Sequence, residues 1–151
     1  MFIYYLSLGS NINPKKNLSE AIKILRNTFQ ITKISNFYLN SASGFEGEDF
    51  INGCIEIVMQ EHDFDYINSI LKSTEDQFGR DRKQPKFSDR PLDIDIVLVI
   101  QEEDLIYASK EIEDYDFVSI PLNEIIAETI SNRLEISQVS NASFKEVKIY
   151  L

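Results

Sequence analysis

Gly79–Leu98, GRDRKQPKFSDRPLDIDIVL, decides how the rest of the chain is read. It opens with five basic residues, Arg80, Arg82, Lys83, Lys86 and Arg90, within eleven positions of a chain whose formal net charge is -10. It closes on Asp93 and Asp95, which alternate with Ile94 and Ile96. Alternation in a strand has period two, so both carboxylates point to one face, with Cα atoms about 6.6 Å apart. That spacing suits one hard divalent cation, or a pair about 4 Å apart. A basic loop beside such a pair suits a polyphosphate. Ile96 to Ile100 is apolar on both faces, so the strand is expected to be covered on both sides. Carboxylates that enter such a strand call for cations.

The whole chain sets limits on function. Its 151 residues are expected to form one domain, residues 1–151, with a real core. The apolar share of 43% and charged share of 26% are those of an ordinary soluble globular protein. No apolar run is long enough for a membrane span. The start, MFIYYLSLGSN, lacks the features of a signal peptide and reads as a first strand, so a cytoplasmic protein is expected. Cys54 and His62 are single, which excludes disulfide frameworks and paired His or Cys zinc motifs. The acidic balance argues against a general nucleic-acid binder.

In chain order, Phe2–Leu8 reads as a strand, and Gly9-Ser10-Asn11 as a turn that is not a phosphate loop of the Walker type. Asn13-Pro14 starts a helix with buried positions Leu18, Ala21, Ile22, Leu25 and Phe29. Ile31–Leu39 and Phe50–Gln60 read as strands, joined by a loop over Asn40–Asp49. Phe50, Asn52 and Cys54 share a face there, where a ring and an amide can take a flat heterocycle. Asp63 or Asp65 caps a second helix whose stripe is Phe64, Ile67, Ile70, Leu71, Thr74 and Phe78, and Gly79 stops it. Glu75 in its last turn opposes the helix dipole, and taken alone reads as a solvated surface glutamate. Leu105–Tyr107 reads as a short strand, Pro121–Ala127 as a short helix and Val147–Leu151 as an edge strand. Strand, helix, strand, strand, helix, strand is the α+β, ferredoxin-like (βαββαβ) order. It implies an antiparallel sheet with helices on one face and extra C-terminal elements. The other face is left for a cleft or for the C-terminal segment.

Read together, these residues resemble the 6-hydroxymethyl-7,8-dihydropterin pyrophosphokinase family. The resemblance rests on Gly9-Ser10-Asn11, Ser35-x-x-Tyr38, Phe50-x-Asn52, Glu75-x-x-x-Gly79-Arg80-x-Arg82, Arg90-x-Leu92-Asp93-x-Asp95-Ile96 and Phe117-Val118-x-x-Pro121-Leu122-x-Glu124-Ile125. It spans roughly residues 1–128 in order. It implies that ATP gives its β,γ-pyrophosphoryl group to the pterin hydroxymethyl oxygen, leaving AMP, in folate biosynthesis.

The resemblance also implies residue roles. Asp93 and Asp95 hold two magnesium ions, and Arg80 and Arg90 bind phosphates. Arg82 and Lys86 are further basic positions of a catalytic loop, and Glu75 lies on the nucleotide side. Phe50 and Phe117 sandwich the pterin, and Asn52 binds its edge with help near Asn40 to Ser43. The expected partners are thus pterin and ATP, with no nucleic acid and no membrane, in a monomer.

Three stretches depart from the family pattern. Asn40-Ser41-Ala42-Ser43 stands where the family often has Pro-Pro. Asp89 precedes Arg90, where an acid should repel ATP unless turned away or paired. Lys110–Asp116 is short and acidic where the family carries a histidine and an arginine. This implies weaker ATP binding, with Lys110 or Tyr115 substituting in part. A non-catalytic or weakly active pterin-binding homologue is the alternative that this segment favours.

Overall fold

The computed structural model describes residues 1–40, 47–84, 88–136 and 144–151. Ser43, Lys86 and Phe87 lie outside the described residues. The elements are β1 (Phe2–Ser10), α1 (Pro14–Thr28), β2 (Gln30–Ile34), β3 (Phe37–Asn40), β4 (Phe50–Met59), α2 (Phe64–Gln77), β5 (Asp93–Gln101), β6 (Asp104–Ala108), α3 (Glu111–Asp114), α4 (Asp116–Ile125), α5 (Glu128–Arg133) and β7 (Lys145–Val147). All seven strands join one sheet in the order β6-β5-β1-β4-β3-β7, with β2 beside β3 on β4. Every pairing is antiparallel.

The strand expected over Ile31–Leu39 is two strands against one partner. β2 pairs with Ile55–Val58 and β3 with Phe50–Asn52. Ser35 sits at the break. Its backbone N–H donates to the Cys54 carbonyl at 2.9 Å, and its hydroxyl accepts the Cys54 N–H at 2.8 Å. Asn36 then turns its N–H away from the sheet to Glu124 Oε1 at 2.8 Å. A side chain that completes the ladder lets the strand change direction without an orphan donor.

The helix ends follow local chemistry, with one exception. Asp63 caps α2 by accepting the Tyr66 N–H, and Gly79 adopts φ 82° beyond its end, a left-handed conformation that favours glycine. Asn13 precedes Pro14 as expected, but its side chain makes no cap bond and its backbone is left-handed, φ 45°. The Asn17 side chain instead donates to the Ile12 carbonyl at 2.7 Å. In α4, Pro121 lies inside a helix that begins at Asp116, five residues before the expected start. The β7 pairing also falls earlier than expected, at Lys145–Val147 against β3.

Helices cover both faces, not one. α1 and α2 bury Leu18, Ile22, Leu25, Ile67 and Leu71 on Leu6, Leu8, Ile55 and Ile94. The opposite face carries Tyr5, Cys54, Val97, Leu98 and Ile100, and α3 to α5 cover it with Ile112, Val118, Leu122, Ile125 and Ile130. The apolar run of β5 demands this second layer, since both of its faces must leave water. A bulge makes the run possible. Tyr5 pairs with Leu98 and Leu6 with Ile96, so Val97 is an extra residue, and Val97 and Leu98 both join the second cluster.

Leu122 is fully buried at the centre of that layer. Leu122→Ala should cost about 2–5 kcal/mol in urea unfolding. Burial also pushes the Cys54 thiol far up, so a thiol reagent should label it only as the protein opens. Faster labelling in the Leu122 variant than in wild type is the expected companion result.

Candidate active site

The ends of β1, β4 and β5 place five residues side by side on the sheet face beneath α3 and α4. Gly9 pairs with Asn52 on one side and Asp93 on the other, and Ser7 pairs with Asp95. A cleft opens over them. Its floor is Ser7, Gly9, Asn52, Asp93 and Asp95, and Asn40 and Phe50 line one side. Ser88 and Arg90 line it from the loop before β5, and Glu111, Tyr115, Phe117 and Val118 from α3, α4 and the turn between them.

Gly9 is needed for close approach. A Cβ there would meet Asn52 Nδ2 at 2.5 Å. Asn52 Oδ1 accepts from Asn40 Nδ2 at 2.7 Å, so two buried amides are locked together on the floor. The Phe117 ring is backed by Tyr115, stacked at 4.8 Å and 18°.

Glu75 corrects the sequence reading. It is fully buried, not solvated. Oε1 accepts from Arg80 at 3.1 Å and Arg82 at 3.0 Å. Oε2 accepts the Ile94 N–H at 2.7 Å and the Lys72 ammonium at 3.2 Å. The helix dipole that disfavours an acid at this end is outweighed by these four donors. With both oxygens used, Glu75 sits under the basic residues rather than in the cleft.

The aspartates are neutralised by the same group of cations. Asp93 Oδ1 pairs with Arg80 at 3.0 Å, and Oδ2 with Arg90 at 3.2 Å. Asp95 Oδ1 pairs with Lys72 at 3.0 Å. Burial and the neighbouring Asp93 charge push the Asp95 carboxyl up, against the pull of Lys72. Burial likewise pushes Glu75 up, opposed by the Ile94 N–H and Lys72. For Lys72, burial acts downward, but Asp95 and Glu75 outweigh it and hold the ammonium above its ordinary value.

Asp89, the acid expected to repel ATP, is paired. Its Oδ1 accepts from Asn11 Nδ2 at 2.7 Å. Asn11 also accepts the Arg90 N–H at 2.7 Å and donates its own N–H to the Arg90 carbonyl at 3.0 Å. The buried Asn11 of the opening turn thus sets the backbone of Arg90.

Of the residues read as functional, Asn40, Phe50, Asn52, Arg90, Asp93, Asp95, Tyr115 and Phe117 share the cleft. Arg80 reaches it through Asp93. Arg82 turns outward to Asp76 at 2.9 Å as well as to Glu75. Lys110 is exposed and does not line the cleft, because its backbone carbonyl opens α3 while its side chain faces solvent. Ser7, Asn11, Lys72 and Glu111 were missed. Ser7 could have been found by alternation from Gly9, and Lys72 by its place one helical turn before Glu75.

The cleft brings paired carboxylates and guanidiniums together with the rings of Phe50, Tyr115 and Phe117 and the amides of Asn40 and Asn52. The chain belongs to the 7,8-dihydro-6-hydroxymethylpterin-pyrophosphokinase (HPPK) family, whose model matches residues 5–127. It is 31% identical over 135 residues to a 2-amino-4-hydroxy-6-hydroxymethyldihydropteridine pyrophosphokinase of Porphyromonas gingivalis, covering 83% of this chain and 91% of that one. It is 31% identical over 139 residues to the Haemophilus influenzae protein of the same name, covering 86% and 85%. A bifunctional protein FolKE of Lactococcus lactis is 34% identical over 131 residues, 82% of this chain and 37% of its own length.

Two contacts around the cleft can be tested by substitution. Glu75→Ala leaves Lys72, Arg80 and Arg82 with only Asp95, Asp93 and Asp76 and leaves the Ile94 N–H without its acceptor, and should cost about 1–3 kcal/mol in urea unfolding. The second concerns Tyr38, which donates its hydroxyl to Glu124 Oε2 and so ties β3 to α4, the elements that carry Asn40 and Phe117. Burial, then Glu124, raises the Tyr38 phenol from 10.0 to about 12. A value raised on folding means stability that is complete below pH about 10 and lost as pH rises through about 12. Tyr38→Phe should therefore be less stable than wild type by about 1 kcal/mol near neutral pH, with the gap closing in that alkaline window.

Proposed function

We propose that the protein transfers the β,γ-pyrophosphoryl group of ATP to the hydroxymethyl oxygen of 6-hydroxymethyl-7,8-dihydropterin, the step that supplies the pterin diphosphate for folate biosynthesis. One observation carries this reading: Asp93, Asp95 and Arg90 share a cleft with Phe50, Asn52 and Phe117. The slot is then the acceptor site and the charged end the donor site. The same reading takes the β1-α1-β2/β3-β4-α2-β5 core as ferredoxin-like, in a single monomeric domain over residues 1–151 of the cytoplasm.

Asp93 and Asp95 would hold magnesium, as two ions. Magnesium is commonly bound through one or two carboxylates, with water and substrate phosphates completing its shell. The donor set fits that habit: two strand-end carboxylates, Asp93 and Asp95, share a face at the cleft. When bound, the metal supplies charge neutralisation on the phosphates.

The chain's own residues do the rest. Arg80 and Arg90 bind the phosphates, since a guanidinium fork stays charged and meets phosphate bidentately. Arg82 and Lys86 add further basic charge for the nucleotide. Glu75 acts through Arg80 and Arg82, setting where their guanidiniums stand. Phe50 and Phe117 take the pterin ring between them, and Tyr115 stiffens Phe117 from behind. The locked amides leave Asn52 Nδ2 to donate and Asn40 Oδ1 to accept at the pterin edge. The attacking hydroxymethyl oxygen forms a bond to the β-phosphorus and gives up its proton to solvent as the bond to the α,β-bridging oxygen breaks, and AMP departs. Such transfer depends on position and charge more than on a strong base.

Incubation with magnesium, ATP and 6-hydroxymethyl-7,8-dihydropterin should release pterin-dependent AMP. Asp95→Ala should lower that rate at least roughly 100-fold, the scale of one lost preorganised charged contact, while pterin still binds. Release of ADP, or pterin binding without any nucleotide product in the wild type, would overturn the assignment.

A further inference from the structure

Lys72 is absent from every motif that carried the functional reading, yet it touches the reacting end of the cleft. Its ammonium has three donors and meets three acceptors: Glu75 Oε2 at 3.2 Å, the Ile94 carbonyl at 3.0 Å and Asp95 Oδ1 at 3.0 Å. Two of the three are held in place by other contacts. The Ile94 carbonyl belongs to β5, and the fully buried Glu75 is itself fixed by the Ile94 N–H at 2.7 Å. One residue of β5 therefore holds both members of the Lys72–Glu75 pair, and the ammonium is left against Asp95. Asp93 differs, because its partners are guanidiniums with other tasks, Arg80 and Arg90.

We propose that Lys72 is a resident counter-cation of the metal site. It holds one oxygen of Asp95 and opposes a divalent cation there, so that tight cation binding requires the phosphates of the nucleotide. This rests on the reading of Asp95 as a magnesium ligand. The physical reason is Coulombic. A fixed single charge a few ångströms from a divalent ion repels it strongly at any dielectric between that of a protein surface and that of its interior. A polyphosphate offsets that repulsion by adding negative charge on the open side of the site. Lys72 is thus a positioning residue: it acts through Asp95 and sets the order in which charges assemble.

The test is direct binding of Mn²⁺, read as free Mn²⁺ by electron paramagnetic resonance, with and without a non-hydrolysable ATP analogue. Wild type is compared with Lys72→Met, Lys72→Gln, Lys72→Arg and Asp95→Asn. Both neutral variants should bind Mn²⁺ at least about tenfold tighter without nucleotide, and the enhancement by the analogue should shrink by the same factor. Lys72→Arg should behave as wild type. Loss of structure weakens metal binding, so it cannot imitate a gain. Unchanged or weaker Mn²⁺ binding in both neutral variants, with Asp95→Asn still abolishing it, makes Lys72 a structural clamp and overturns the proposal. If Asp95→Asn also leaves Mn²⁺ binding unchanged, the metal role of Asp95 fails and the proposal falls with it.

Discussion

A carboxylate with no access to water has to be surrounded by donors, and in this protein that carboxylate belongs to Glu75. Leaving it unpaired would cost several kcal/mol. It recruits the N–H of Ile94 from β5, the ammonium of Lys72 from its own helix, and the guanidiniums of Arg80 and Arg82 from the loop that follows. Each contact satisfies a local need, and together they fasten the end of α2 to the start of β5. Arg80 and Lys72 then have donors left for Asp93 and Asp95. The charged end of the cleft is therefore the outer layer of a buried electrostatic cluster, which gives a reason for so much positive charge to gather in an acidic chain.

The other end of the cleft is built by packing. β1 is the central strand, and Gly9 at its end gives the room that Asn52 fills. Glu124 of α4 takes both the Asn36 N–H and the Tyr38 hydroxyl. The helix that presents Phe117 is thus tied to the strand that presents Asn40. The second layer of helices covers apolar residues of β1, β4 and β5, and at its edge it carries Tyr115 and Phe117 over the floor. One set of elements both covers the second core cluster and lines the cleft.

An acidic residue beside the cleft need not stand unpaired. Asp89 is held by Asn11, and that same side chain fixes the backbone of Arg90. In the segment before Phe117, Ile112 is the buried residue of a short helix and the neighbouring Tyr115 supplies a ring, while of its acids Glu111 alone lines the cleft. What matters at such a site is which charges are paired and where they point, and the net charge of a segment does not report that.

Alternation and helical spacing were enough to place β1, α1, β4, α2 and β5, because each has a buried stripe whose period survives in the linear order of residues. The pairing of Asp93 with Asp95 on one face was legible for the same reason, and ordered motifs brought Phe50, Asn52, Arg90 and Phe117 to one site. Coverage of both faces of β5 was legible in its apolar run, but the break at Ser35 and the particular helices that form the second layer were not, since they depend on partners far along the chain: Cys54, Glu124 and the far face of β5. Glu75 and Lys72 show the limit most clearly. Taken alone, a glutamate near a helix end and a lysine one turn earlier read as surface charge. Only the arrival of β5 beside α2 buries Glu75 and half-buries Lys72, and there the two side chains pair with each other and with β5.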